Sequence, residues 1–225
     1  MVENKTNSPQ EIFLKDGLYS QWQNLCDHLQ VSPQKDIFDQ ITNHYSEPQR
    51  HYHTLNHINS CLQELEPIRA SLNDPEAVET AIWFHDFVYD PGPNQNEEKS
   101  AQFAKDILQA TGLSSEFTAK VSDLILSTKH ISPSEESDTQ YLNDIDMAIL
   151  GQSSDIFDKF DQDIEKEFII FYSPEIYLNG RIKFFDTMLN RENIFLTDHF
   201  KNKCQKQAQE NIERKKTELL KRLNP

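Results

Sequence analysis

Apolar residues recur along this chain at spacings of three and four, and no stretch alternates apolar and polar residues over six or more positions. That rhythm predicts helices rather than strands. Punctuation residues place several of them. Ser32-Pro33 reads as an N-cap with a proline at the first helical position, ahead of Ile37, Phe38 and Ile41. Asp74-Pro75-Glu76 does the same for Ala77, Ala81, Ile82 and Phe84. Asn96, followed by the acids Glu97 and Glu98, opens a helix carrying Ala101, Ala104, Ile107 and Leu108, which stops at Gly112. Ser114-Ser115 starts the next, with Val121, Leu124, Ile125 and Leu126. Leu142, Ile145, Ile149 and Leu150 form another, ended by Gly151, and three more helical stretches are expected near 154–169, 174–189 and 197–222. The expected fold class is all-α, a single compact domain over residues 1–225 with about nine or ten helices.

Composition sharpens this. The chain has 225 residues, enough for one domain or at most two small ones, and no Pro/Ser/Gly-rich linker divides it. A net charge of −15 argues against a nucleic-acid polymer as partner, because phosphate backbones reward clustered Lys and Arg. The longest apolar run, Phe168 to Tyr172, is far shorter than the roughly 20 residues that span a bilayer, so no membrane partner is expected. The N-terminal MVENKTNSPQ lacks the apolar segment of a signal peptide. Cys26, Cys61 and Cys204 are scattered, without CxxC spacing, and read as reduced thiols of a cytoplasmic protein. Charge is uneven: residues 201–225 carry +5 and the first 200 carry −20, so the last helix is expected to lie on an acidic body.

Candidate chemistry sits on the histidines. His85-Asp86 ends an apolar helix, where neighbouring side chains diverge by about 100° and can still reach one ion. His53 and His57 stand at i, i+4 in RHYHTLNHI and share a face if that segment is helical. The Glu of an HExxH site is missing between them. Asp144 and Asp146 lie about 200° apart on a helix, so only one can face a given pocket, and Asp146 sits at the apolar edge. Two loops, Phe87 to Gln95 and Ile131 to Asp138, are long enough to border a site.

The order His57, His85-Asp86, Asp146 on separate expected helices resembles the H…HD…D pattern of the HD-domain superfamily of metal-dependent phosphohydrolases. The Tyr52–His57 run is similar to the motif opening the site in its cyclic-nucleotide phosphodiesterase branch. The DxDxxxLG run from Asp144 to Gly151 resembles its closing motif, and NEEKSA from Asn96 resembles the helix after the doublet in bacterial members. The resemblance spans a motif core of residues 50–151 and leaves the C-terminal helices, 152–225, outside it. It implies metal ligation by His57, His85, Asp86 and Asp146, and catalysis by His53 as general acid together with Asp86. It makes Asp144 structural. Binuclear members place two further histidines between the doublet and the last Asp, where this chain has only His130. One divalent ion is therefore expected, with His130 near the substrate phosphate or behind a ligand.

Two imidazoles and two carboxylates suit Mn²⁺, Co²⁺, Fe²⁺, Ni²⁺ or Zn²⁺, with Mg²⁺ as a further option. Glu97 or Glu98, with Glu98 taken as the catalytic candidate, would orient the attacking water or a histidine. Arg50, Lys99, Lys129 and His130 are the candidate substrate-binding residues, and Arg181 and Lys183 could fold back onto the site. Asp90 should either pair with Lys99 or Lys129 or face solvent. The expected activity is hydrolysis of a small phosphate ester, a nucleotide or another phosphorylated metabolite. The alternative is a non-catalytic metal- or ligand-binding regulator on the same scaffold, and a di-metal oxygenase would need histidines the chain largely lacks. A homo-oligomer stays open. There is no Walker-type loop, GxGxxG or GxSxG.

Overall fold

Side-chain caps start half of the helices in the computed structural model, which describes residues 8–92, 95–130 and 134–224. The signal-peptide reading on residues 1–7, the helix-breaking Pro93 and the start of the loop at 131–133 lie outside the described residues. Among those described there are ten α-helices and no strand, so the all-α expectation holds. They are α1 Pro9–His28, α2 Lys35–His44, α3 Leu55–Leu65, α4 Pro75–Phe84, α5 Asn96–Ala110, α6 Ser115–Ser127, α7 Ser137–Met147, α8 Ser154–Phe168, α9 Pro174–Leu189 and α10 Asp198–Leu223. Short 3₁₀ turns, Glu66–Ser71 and Ala148–Gly151, follow α3 and α7.

Asp74 caps α4 by accepting the Ala77 N–H at 3.0 Å, and Ser114 caps α6 through the Phe117 N–H at 3.1 Å. Gly112, at φ +90°, ends the turn after α5 as a left-handed residue. The one displaced start is α2, which begins at Lys35 instead of Pro33. The preceding turn explains it. Gln30 ends α1 in the left-handed region, at φ 56°, and the Val31 N–H returns to the Cys26 carbonyl at 3.0 Å. This closure of α1 leaves Ser32 to Gln34 as an extended connection, with Gln34 in the cap position.

The centre of the fold is α4, buried from Ala77 through Phe84 and packed against α1, α3, α5, α6 and α7. Trp83 meets Trp22 edge-on at 5.6 Å and Phe38 at 6.2 Å, fixing α1 and α2 onto it. A helix sunk this deep delivers the residues after its C-terminus, His85 and Asp86, into the protein interior.

The basic α10 packs over α9 and the Ala148–Gly151 turn, and its cations meet acids of other helices. Arg214 forks onto Asp158 at 2.8 and 3.1 Å, Lys215 reaches the same carboxylate at 3.1 Å, and Arg222 pairs with Glu165. Lys203 pairs with Glu64 and Lys216 with Asp186. The charge asymmetry of the sequence is thus internal pairing, each exposed pair contributing at most about 1 kcal/mol.

Close approach of α10 requires a glycine at 151. A Cβ there would stand 2.5 Å from the Cys204 Cβ and 2.8 Å from its Cα and carbonyl oxygen. Two of those atoms are backbone, so no rotamer change relieves the contact. Gly151→Ala is expected to destabilise the fold by about 1–3 kcal/mol, as overpacking does. Urea unfolding would show it, and an unshifted midpoint would mean the helix can move aside.

Candidate metal centre

Three helices bring one donor cluster together. His57 belongs to the buried face of α3, with Ile58, Cys61, Leu62 and Leu65. His85 is the C-terminal cap of α4, and Asp86 follows in the turn. Asp146 comes from the last turn of α7. One donor atom each from His57, His85 and Asp146 lies within 4.8 Å of the other two. His57 Nε2 is 3.0 Å from His85 Nε2 and 3.2 Å from Asp146 Oδ1. Asp86 Oδ2 joins them at 3.0 Å from His85 Nε2 and 3.6 Å from His57 Nε2.

The chemistry of this donor set fits a cation. The backbone carbonyl of Ile82, 2.9 Å from His85 Nδ1, can only accept, so Nδ1 carries a hydrogen, and it is Nε2, with its lone pair when the ring is neutral, that faces the cluster. There it meets two carboxylates and a second imidazole. Burial opposes charge on His85, yet Asp86 and Asp146 outweigh it and raise its pKa well above the usual imidazole range. Burial would also raise Asp86, but the imidazoles of His85, His53 and His57 hold its carboxyl far below normal. Asp146 is held well down in the same way, with hydrogen bonds from His130, His57 and His85 overcoming its burial. Every shift favours positive charge at the centre, which a divalent ion supplies better than a proton.

The backbone carrying Asp86 is clamped on both sides. Its N–H donates to the Tyr45 hydroxyl at 3.1 Å, and its carbonyl accepts from Arg50 at 2.7 Å. Arg50 also donates to the carbonyls of Phe87 and His53, and its side chain is wholly buried. Its guanidinium therefore braces the walls of the site, in place of the expected contact with substrate.

His53 is placed by a bend rather than by a helix. α3 starts at Leu55, so His53 and His57 do not share a helical face, and their rings sit 5.8 Å apart. The residue that fixes His53 is Glu167 of α8. Its Oε1 accepts three successive backbone N–H groups, from His51, Tyr52 and His53, at 2.6, 2.7 and 3.1 Å. Its Oε2 takes the Nδ1–H of His53 and the hydroxyl of Tyr89, each at 2.7 Å. Nδ1–H is committed there, leaving Nε2 as the working nitrogen of His53. Tyr89 stacks on the imidazole at 4.2 Å. Burial lowers the His53 pKa, but Asp86 and Glu167 together raise it above normal.

Glu167 is absent from the sequence-based expectations, although a signal for it existed. It lies three and seven positions from Ile164 and Phe160, which makes it a carboxylate on the apolar face of α8. Asp144 is structural as expected. It accepts the N–H groups of Leu196 and Thr197 and the Thr197 hydroxyl, fixing the start of α10.

The other expected residues divide. His130, in a left-handed conformation at φ 52°, places Nε2 2.9 Å from Asp146 Oδ2, behind a candidate ligand. Glu98 does not reach a histidine. It pairs with Lys129, whose hydrogen bond lowers its pKa, and it lies outside the lining of the cavity beside the centre, which includes Glu97. Lys129 still lines the cavity beside the centre, whereas Lys99 is exposed and outside its lining. Asp90 accepts the Gly92 N–H at 2.9 Å, and its backbone pairs with the Asn96 amide, so it shapes its own loop. Tyr89 to Gly92 form part of the cavity wall, as expected for the segment after Asp86.

That cavity measures 640 Å³ and opens onto His53, Asp86, Asp146 and His130. Its far side is built from α8 and α9 and is largely aromatic and aliphatic. Among the described residues no helix is long and apolar enough to cross a membrane. Comparison of the chain with family models, with curated proteins and with solved structures finds no match.

Proposed function

We propose that this protein is a divalent-metal-dependent phosphohydrolase of the HD-domain kind, acting on a small phosphate ester. The observation that carries the reading is the pairing of two devices on one cavity: a buried His/His/Asp/Asp donor cluster and, beside it, an imidazole oriented by a buried carboxylate. His57, His85, Asp86 and Asp146 would hold the ion, one of the N/O-binding metals from Mn²⁺ to Zn²⁺. The ion, when bound, supplies positive charge for a phosphoryl oxygen and for the attacking water.

The remaining work belongs to the side chains. Glu167 holds the Nδ1–H of His53, so the proton to be delivered sits on Nε2, facing the cavity. A raised pKa keeps more of His53 protonated near neutrality, which suits a general acid that protonates a leaving ester oxygen. Lys129, on the cavity wall, would be a cation for the phosphate, and His130 orients the Asp146 carboxylate.

The test is turnover of a panel of phosphomonoesters and phosphodiesters by the Mn²⁺-loaded protein, alongside His53→Ala. The variant is expected to keep its metal and to lose about 10²–10⁴-fold in kcat, the usual scale for general acid help. A metal-loaded protein that binds phosphate esters without turning any over would support a binding or regulatory role instead.

A further inference from the structure

The cavity is far larger than a phosphate needs. Besides His53 and the candidate ligands, its wall holds Phe160, Ile164, Phe168, Tyr172, Ile176 and Phe184, from α8, α9 and the turn between them. An apolar wall on such a site calls for an explanation.

The Arg181 surroundings narrow it. Nε donates to the buried Asp161 at 2.8 Å, so the charge is already balanced. The rings of Phe160, Phe184 and Phe185 lie 4.6 to 5.0 Å from the guanidinium carbon. A balanced arginine in an apolar wall leaves this part of the cavity without free charge, which suits an uncharged chain.

A third observation gives the direction. The turn joining α8 to α9 exposes Ile169, Ile170 and Phe171, with Ile170 62% exposed. Ile176 belongs both to the cavity wall and to this surface, at 58% exposure, so the apolar lining runs out of the cavity onto the rim. Contiguous exposed apolar residues generally mark a place where something apolar binds. With −20 on the first 200 residues, an anionic bilayer is a poor occupant.

We propose that the substrate is an amphiphilic phosphate ester whose phosphate lies at His53 and whose apolar chain follows the α8 and α9 wall to the rim at Ile169–Phe171. This rests on the phosphohydrolase reading for the phosphate end only. The chain-binding half stands on its own residues.

Alkylphosphonates have no ester to hydrolyse and serve as probes. Ethyl-, hexyl- and decylphosphonate are titrated into the full-length Mn²⁺-loaded protein by calorimetry. Affinity should rise about fourfold per methylene while the chain is inside the cavity, which is on the order of a hundredfold for the first three or four methylenes beyond ethyl. Equal affinity for ethyl and decyl overturns the inference. So does a dimer, seen in sedimentation, that Ile170→Lys dissociates, because a second copy would then cover the rim. Turnover of p-nitrophenyl phosphate separates the two claims. Hydrolysis without chain-length dependence sinks the amphiphile and leaves the hydrolase, whereas steep chain-length dependence without hydrolysis of any ester does the reverse.

Discussion

Replacing His85 by alanine is expected to strip the protein of its divalent ion and of the stability that the ion confers. His85 is 2% exposed, its Nδ1–H is held by the Ile82 carbonyl, and its Nε2 points at both carboxylates and at His57. Loss of groups that merely orient a ligand costs about 10–100-fold in affinity, so loss of the ligand should exceed that. At an ion concentration of about 100 times Kd, binding stabilises the native state by about 2.7 kcal/mol. For a chain of this length that corresponds to roughly 5–10 °C in Tm. Metal analysis after dialysis should find a stoichiometric ion in the wild type and little in His85→Ala. A chelator should lower the wild-type Tm and leave the variant unmoved. A wild type that takes up no ion, with a Tm indifferent to chelator, would remove the metal centre altogether.

What the sequence revealed and what it hid follow one physical division. Features written in short range were legible. Asp74 and Ser114 cap α4 and α6, each through its own side chain, because a cap needs only a residue and the N–H three positions on. The candidate donors His57, His85, Asp86 and Asp146 were named from their order along the chain, which resembles an H…HD…D pattern, and the fold brings His57, His85 and Asp146 within 4.8 Å of one another. The long-range partners were not legible. Glu167 lies 114 residues from His53, and nothing local distinguishes it except its place on the apolar face of α8. Arg50 and Glu98 show the complementary case. Nearness in sequence to a motif made them candidates, but the partners they have were out of local reach: Arg50 donates to the carbonyls of Asp86 and Phe87, 36 and 37 residues away, and Glu98 pairs with Lys129, 31 residues away.

Glu167 should give the other large effect, and it should separate stability from proton delivery. Glu167→Ala leaves three backbone N–H groups, the His53 Nδ1–H and the Tyr89 hydroxyl without their acceptor. At about 1–3 kcal/mol for each buried donor, and less than additively, a loss of about 3–5 kcal/mol is expected. Glu167→Gln keeps the shape and one acceptor oxygen for the nest of N–H groups. Its amide can donate to His53 Nδ1, which would fix the opposite tautomer and leave Nε2 carrying its hydrogen when neutral. The proton relay is then changed with the pocket intact, so kcat should fall while metal content stays at wild-type level. The pH dependence supplies an independent check. Burial pushes the Glu167 carboxyl up, but the charge and hydrogen bond of His53, with the Tyr89 and backbone donors, bring it down to about 2 from an ordinary value of 4.5. A carboxyl depressed in the folded state stabilises it fully above the unfolded value and loses that contribution as pH falls through the folded one. The wild type should therefore lose about 3 kcal/mol through this group between about pH 5 and 2. Glu167→Gln has no such group, so its unfolding free energy should fall less steeply over the same interval. Parallel acid limbs for the two proteins would mean that Glu167 is not an ionised anchor, and the orientation of His53 would need another source.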